Sequence, residues 1–406
     1  MTAPSGPILF NSATGSDVAA SGLGPATAVT GSGASTTGSS AVVTGIDTTG
    51  VTAGDLLWVQ SSSGRQFSIV ATVDSGSQVT CDDQFANTEA GRTWAIGGKR
   101  ATLENADSRT LFGVVGWKTI WIVELETNQV ISSSVVVGEG GTIRGSDEAL
   151  RTITQTANTS CFSFAVSSLS LGLRHIKLEN TNGSKSSATG VVFNQSFSGV
   201  SAYRCVFGDP TNKLNNAILR TAGTPRNTAF LECRISHCLN VGYDAGNTNH
   251  SPSFFRCRIN NNGGHGIVTG RPNASSFLEN TFDSNSGSGL FVNSNGGGEI
   301  IKGNVFYNNA SDGIEIAASD REPFVIVDNI AFGNGRYGIN SPEPVFNFLN
   351  SGGGNTSGMF NGGISASSNF IELTADPFVN AAAGDFNLND TAGGGALLRA
   401  ATLELP

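Results

Sequence analysis

The chain has 406 residues, 53 of them glycine, with 38% hydrophobic and 14% charged residues and a net charge of −9. That composition suits many short strands and turns better than long amphipathic helices, and the length suits either several domains or one elongated repeat array. No cluster of lysine and arginine is present to neutralise phosphates, so nucleic acid and anionic membrane surfaces are excluded as expected partners.

The opening, "MTAPSGPILFNSATGSD", has neither a basic start nor an apolar run of signal-peptide length, and nowhere do about 20 uncharged apolar residues follow one another. The expectation is production in a cytosol, without export by a signal peptide and without membrane insertion. Six cysteines (81, 161, 205, 233, 238 and 257) lack paired CxxC spacing. They read as buried free thiols, so neither a metal nor a disulfide framework is expected, and no cofactor is implied.

Residues 1–98 are rich in Thr, Ser and Gly, with "DLLWVQS", "RQFSIVATVD" and "QVTCDDQF" as alternating strands between turn residues. They predict a small β module. "RATLENADSRTLF" (100–112) has apolar residues at roughly helical spacing and is expected to cap a stack of strands that would otherwise expose its open end. Beyond it, "TIWIVELETNQVI", "SSVVVGEGGTIRG", "CFSFAV", "LRHIKLEN" and "GVVFNQ" read as β-rich turns of such a stack.

From residue 204 a repeat takes over. "RCVF", "ECRI", "RCRI", "ENTF", "GNVF" and "DNIA" align Cys205, Cys233, Cys257, Asn280, Asn304 and Asn329, at steps of 28, 24, 23, 24 and 25 residues. Two places on stand Phe207, Ile235, Ile259, Phe282, Phe306 and Ala331, the alternation of a half-buried strand. Five places beyond the Cys/Asn column stand Cys238, Asn262, Asn285, Asn309 and Asn334, and four further on Gly242, Gly266, Gly289, Gly313 and Gly338, each followed by a large apolar residue. A unit of about 24 residues with short strands, an Asn at one turn and a Gly at the next bend describes one coil of a parallel β-helix. Neighbouring coils at about 4.8 Å let the asparagines hydrogen-bond up the stack, and glycine is expected to supply backbone angles that a Cβ would penalise.

Through "NNNGGHGI", "NSGSGLFV", "NNASDGIEI" and "NGRYGIN" the sequence resembles the right-handed parallel β-helix repeat superfamily, the fold of pectate lyases and of bacteriophage tailspike and other virion β-helix proteins. Similar proteins often open with a segment like Gly15–Asp17 and Gly24–Ala28 and close with one like Asp376–Val379 and Gly384–Leu388. The expected fold is all-β: a single-stranded right-handed parallel β-helix over 99–345, the β module before it, and a capping or contact segment over 346–406.

Gly264-His265-Gly266 matches the Gly-His-Gly of polygalacturonase-like members. His265, however, fills a slot held by Val241, Ser288, Asp312 and Tyr337 in other coils, and the acid motifs that accompany that tripeptide in the family are missing. It is read as a variable turn residue. Outward positions after the glycine column are Asp244, Val268, Phe291, Glu315 and Asn340. Asp244 and Glu315, three coils or about 14 Å apart, are too distant to act as a hydrolytic pair. The acidic stretch "SDGIEIAASDRE" places Asp312, Glu315, Asp320 and Glu322 together and supplies the catalytic candidates; Asp244, Phe291, Arg271 and Arg321 are the carbohydrate-binding candidates. Arg204, Glu232, Arg256, Glu279, Gly303 and Asp328, just before the Cys/Asn column, read as an ion-pair ladder.

The resemblance and the missing signal peptide together imply a virion protein. The expectation is a tailspike or receptor-binding fibre that meets other virion proteins through its N-terminal module, recognises host cell-surface polysaccharide along the β-helix, and is a homotrimer. The alternatives are a polysaccharide lyase or glycoside hydrolase and a head-decorating structural β-helix.

Overall fold

The computed structural model describes residues 8–10, 29–51, 53, 56–62, 64–97, 99–100, 121–137, 141–164, 170–196, 198–222, 228–246, 252–270, 275–292, 299–317, 324–342, 345–362, 364 and 369–402. The helical cap expected over 100–112 lies, from residue 101 on, outside them. Two compact units divide the chain, Met1–Asn182 and Gly183–Pro406.

In the first unit, six antiparallel strands between Val29 and Gly97 close into a barrel. The three strands expected there are Leu56–Ser61, Gly64–Ser75 and Gln78–Phe85. Their alternate residues point inward, so Val43, Leu57, Val59, Val70, Val79, Trp94 and Ile96 fill one core. Closing the barrel leaves no open strand edge. The same unit also holds parallel coils, in which Trp121–Leu125 pairs with Gly141–Gly145, Gln129–Ile131 with Arg151–Gln155, and Val135–Val137 with Phe162–Phe164.

The second unit is built of coils with three short strands each. Ser253–Phe255, Arg258–Asn260 and Ile267–Thr269 make one coil, and each strand pairs in parallel and in register with its counterpart 23 residues on: Phe254 with Phe277, Ile259 with Phe282, Ile267 with Leu290. Like residues therefore stack on like inside the coil. The rings of Phe230 and Phe254 stack at 4.7 Å and those of Phe282 and Phe306 at 4.8 Å. Pairing continues past residue 345, through Phe346–Phe348, Ser351–Gly353 and Gly358–Gly362. The sequence pattern stops there because Gly352 and Asn347 replace the large inward residues of earlier coils.

Two polar ladders run through this stack. In one, the side-chain amide of Asn262 donates to Asn285 Oδ1 at 2.9 Å, Asn285 to Asn309 at 2.9 Å, Asn309 to Asn334 at 3.0 Å and Asn334 to Asn355 at 2.9 Å. Each amide also donates to a strand carbonyl one coil back, as Asn309 does to Phe282 at 3.0 Å, and each Oδ1 receives the backbone N–H of the preceding coil as well. Every donor and acceptor of the amide is thus used. The second ladder joins Asn280, Asn304, Asn329 and Asn350 in the same way. Its upper end is cysteine: the N–H of Cys257 donates to Asn280 Oδ1, that of Cys233 to Cys257 Sγ at 3.4 Å, and that of Cys205 to Cys233 Sγ at 3.5 Å. All six cysteines are buried and none is joined in a disulfide.

The glycine column has a different cause from the one expected. None of Gly242, Gly266, Gly289, Gly313 and Gly338 takes a positive φ. A Cβ on Gly242 would instead sit 2.5 Å from the carbonyl oxygen of Gly266, and one on Gly266 equally close to that of Gly289. The constraint is close approach between coils. Left-handed angles fall on the turn before the Cys/Asn column, at Arg204, Glu232, Arg256, Glu279, Gly303 and Asp328. There Arg204 pairs with Glu232 at 2.7 Å and Arg256 with Glu279 at 2.8 Å.

The final segment packs along the outward side of the second strands. A hairpin of Phe378–Asn380 and Asp385–Leu388 sets Phe378 and Phe386 edge-on to Tyr307, whose hydroxyl donates to Asp376 at 2.7 Å. The helix Gly395–Thr402 follows.

Removing one amide strands the partners above and below it, so Asn309→Ala should destabilise the protein by about 1–3 kcal/mol. Denaturant melts check this, and a change below about 0.5 kcal/mol would contradict the ladder's role.

Candidate functional site

The third strands of successive coils form a sheet whose outward row reads Leu219, Asp244, Val268, Phe291, Glu315, Asn340 and Asn361, each level with the next. Strand alternation puts these side chains outside because the flanking positions, such as Leu290 and Val292 beside Phe291, fill the core. Successive members lie about 4.8 Å apart, the spacing of hydrogen-bonded strands.

Around Phe291 and Glu315 the row meets the bend of each coil. The imidazole of His265 stacks on the Phe291 ring at 4.6 Å and 16°. Its Nδ1 accepts the backbone N–H of Ser288 at 2.9 Å, so the neutral ring carries its proton on Nε2. The Ser288 hydroxyl donates to Glu315 Oε2 at 2.5 Å. Asp312, wholly buried, accepts the N–H of Tyr337 at 2.8 Å and the amide of Asn340 at 3.0 Å. The guanidinium of Arg336 lies 3.3 Å from Asp312 and 3.9 Å from Glu315. Asn361 donates to Asn340 at 3.0 Å and extends the chain of contacts by a coil.

The sequence candidates divide accordingly. Asp312 and Glu315 are brought together, joined by Arg336; Phe291 and Asp244 share their row. Asp320, Glu322, Arg271 and Arg321 lie outside the described residues. His265, set aside as a variable turn residue, is a member of the cluster, together with Ser288, Arg336 and Asn340. The tripeptide around His265 was the available signal; the others occupy slots with no recurring residue type.

Burial pushes the His265 imidazole below its usual value, against the pull of Glu315, Asp244 and Asp312. Protonating Nδ1 would also sacrifice the Ser288 N–H bond. The arrangement offers Nε2–H as a donor, an aromatic face, one half-buried carboxylate and a row of amides. With both carboxylates tied to Arg336, it is better furnished to hold hydroxylated ligands than to shuttle protons.

A separate cavity of about 520 Å³ lies between the turn at Gly303 and Asp328 and the final segment, lined also by Val305, Ile330, Leu349, Phe370 and Leu398. Asp328 is its one titratable lining residue among those described, so it offers burial with little chemistry. Among the described residues no group of three or more His, Cys, Asp or Glu side chains could hold a metal ion, and no helix is long and apolar enough to cross a membrane.

Because the folded pKa of His265 is depressed, its contribution to stability is present above the unfolded value, about 6.5, and is lost as pH falls through the lower folded value. The melting temperature should fall between pH 7 and pH 5, and His265→Asn should flatten that slope relative to the parent chain. Parallel slopes for the two proteins would contradict this account.

A family model described as "Right handed beta helix region" matches residues 272–342. No curated protein sequence matches the chain. Among solved structures, the Dettilon tailspike protein gp208 is similar at 14% identity and a TM-score of 0.44, over 63% of this chain and 51% of its own. The periplasmic alginate epimerase AlgG is similar at 13% identity and a TM-score of 0.40, over 66% and 80%. The tailspike gp49 from Acinetobacter baumannii bacteriophage Fri1, a capsular polysaccharide depolymerase, is similar at 12% identity and a TM-score of 0.38, over 62% and 52%. The chain spans about half the length of either tailspike, and at these identities the likeness is one of fold alone. With its parallel coils in register and the family match inside them, the coiled part of the chain has the right-handed parallel β-helix fold.

Proposed function

We propose that the protein is a polysaccharide-binding β-helix of a bacteriophage virion, with the outward row of the third strands as its binding strip. The observation that carries the reading is the row itself, in which the Phe291–His265 stack stands beside Glu315 and the amides of Asn340 and Asn361 at strand spacing. Sugar rings present an apolar face and a rim of hydroxyls, which an aromatic side chain and a set of donors and acceptors complement. Binding is favoured over cleavage because the buried carboxylate of Asp312 is occupied by Tyr337, Asn340 and Arg336, so that among the described residues of the cluster it does not form a free pair of acids with Glu315.

In this reading the N-terminal barrel attaches the protein to other virion components, and the β-helix presents host surface polysaccharide with its ligand strip. The protein works as a homotrimer. Support for association comes from the outward side of the first strands, where Tyr203, Leu231, Phe255, Leu278, Val327 and Phe348 lie in one row interrupted by Lys302. Phe346 and Phe348 are 52% and 50% exposed. The second-strand side is packed by the chain's own final segment and the third-strand side carries polar groups, so the apolar side suits a second copy of the chain, with Arg256 and Glu279 at its border.

Phe291→Ala should weaken binding of host polysaccharide at least tenfold, about 1.4 kcal/mol, while leaving the melt of the protein nearly unchanged. Unchanged binding would remove the strip from consideration, and new reducing or unsaturated ends after incubation with the polysaccharide would move the enzymatic reading ahead. Sedimentation should give three times 41.7 kDa, and a Phe346→Asp, Phe348→Asp variant should give the monomer. A monomeric parent chain at micromolar concentration would overturn the trimer.

A further inference from the structure

The charges along the strip narrow the ligand further, given the polysaccharide-binding reading on which this inference rests. Its described outward charges, Asp244 and Glu315, are both acids, and they lie to either side of Phe291 along the row. Asp312 adds a third carboxylate beneath. Against them stands Arg336, whose guanidinium already faces Asp312 and Glu315. Arg220 lies at the edge, over Gly246.

We propose that the strip selects polysaccharides of uncharged sugars, hexoses and N-acetylhexosamines, and rejects those built from uronic acids. A sugar ring on Phe291 would sit between Asp244 and Glu315, one strand step or about 5 Å from Glu315 and two steps or about 10 Å from Asp244 along the row. A hydroxyl can donate to either acid and accept from the Nε2–H of His265. A uronate carboxylate in the same place can donate nothing, and it would be desolvated near two like charges with no uncommitted cation among the described residues of the row to receive it. Neutral rings meet donors and acceptors throughout.

The test is binding of the intact protein to an immobilised panel of bacterial surface polysaccharides, one half made of neutral and N-acetylated hexoses and the other half containing uronic acids. At low ionic strength the bound members should come from the neutral half, with uronate-containing members at least tenfold weaker. Asp244→Lys should narrow that gap, and Asp244→Asn, which keeps an oxygen for the Gly246 N–H, should do so less; thermal melts of both variants check that they are folded. Tightest binding to uronate-containing members, lost in Phe291→Ala, would overturn the selectivity while leaving the binding strip in place. Binding to no member of either half would overturn the polysaccharide reading and this inference with it.

Discussion

The structure of the coiled units depends on one requirement: the asparagine amides turned into the stack at its bends must find their partners in the coil above or below. Strands repeating at about 4.8 Å leave no room for water between coils, so an unpaired amide there would cost as much as a lost hydrogen bond and more. Asparagine meets the requirement because a single side chain has two donors and an acceptor that can serve two neighbours. The backbone of each bend is thereby held by side chains, and the bends in turn fix the register of all three strands. The cysteines at 205, 233 and 257 meet the same need more weakly. The sulfurs of Cys233 and Cys257 take the place of an amide oxygen, and the Cys233 thiol donates a hydrogen bond to the carbonyl of Leu231.

Close approach is the other side of this constraint. Where two bends touch through their carbonyls, as at Gly242 and Gly266, nothing larger than hydrogen fits. The first turn of each coil has room for side chains but takes a left-handed angle, which costs a non-glycine residue about 1–2 kcal/mol. That cost is borne by Arg, Glu and Asp, whose heads reach along the surface toward the next coil, whereas Gly303 avoids it. Space and backbone angle are thus separate demands, made at different corners of the same coil.

What was legible in the sequence follows from which positions repeat. Inward columns recur every 24 residues or so because each coil faces the same neighbours, and Asn285, Asn309 and Asn334 announce the stack, its register and its ladder. The reason for glycine was not legible, since a letter does not distinguish a crowded site from a left-handed one. The cluster around Glu315 was legible only in part. Asp312 and Glu315 stand close in sequence, but His265, Ser288 and Arg336 come from three other coils and occupy slots in which each coil carries a different residue. An outward side chain answers to its ligand and its lateral neighbours, so it leaves no column to read. The coils past residue 345 were hidden for a related reason: Gly352 and Asn347 keep the pairing while giving up the large apolar residues by which it was recognised.

The ladders also make the coil the natural unit of change. Because the ladder partners of Asn285 are Asn262 and Asn309, removing one complete coil would let Asn262 bond to Asn309 with the same geometry. The outward row would then lose Phe291 and bring Val268 beside Glu315. Duplication of a coil would lengthen the row by one step of the strand spacing and leave each end as it was. The interior thus acts as a ratchet with identical teeth, along which the exposed pattern can be cut and respliced in whole notches. A surface carried on such a track can acquire a new order of side chains without any substitution within the core.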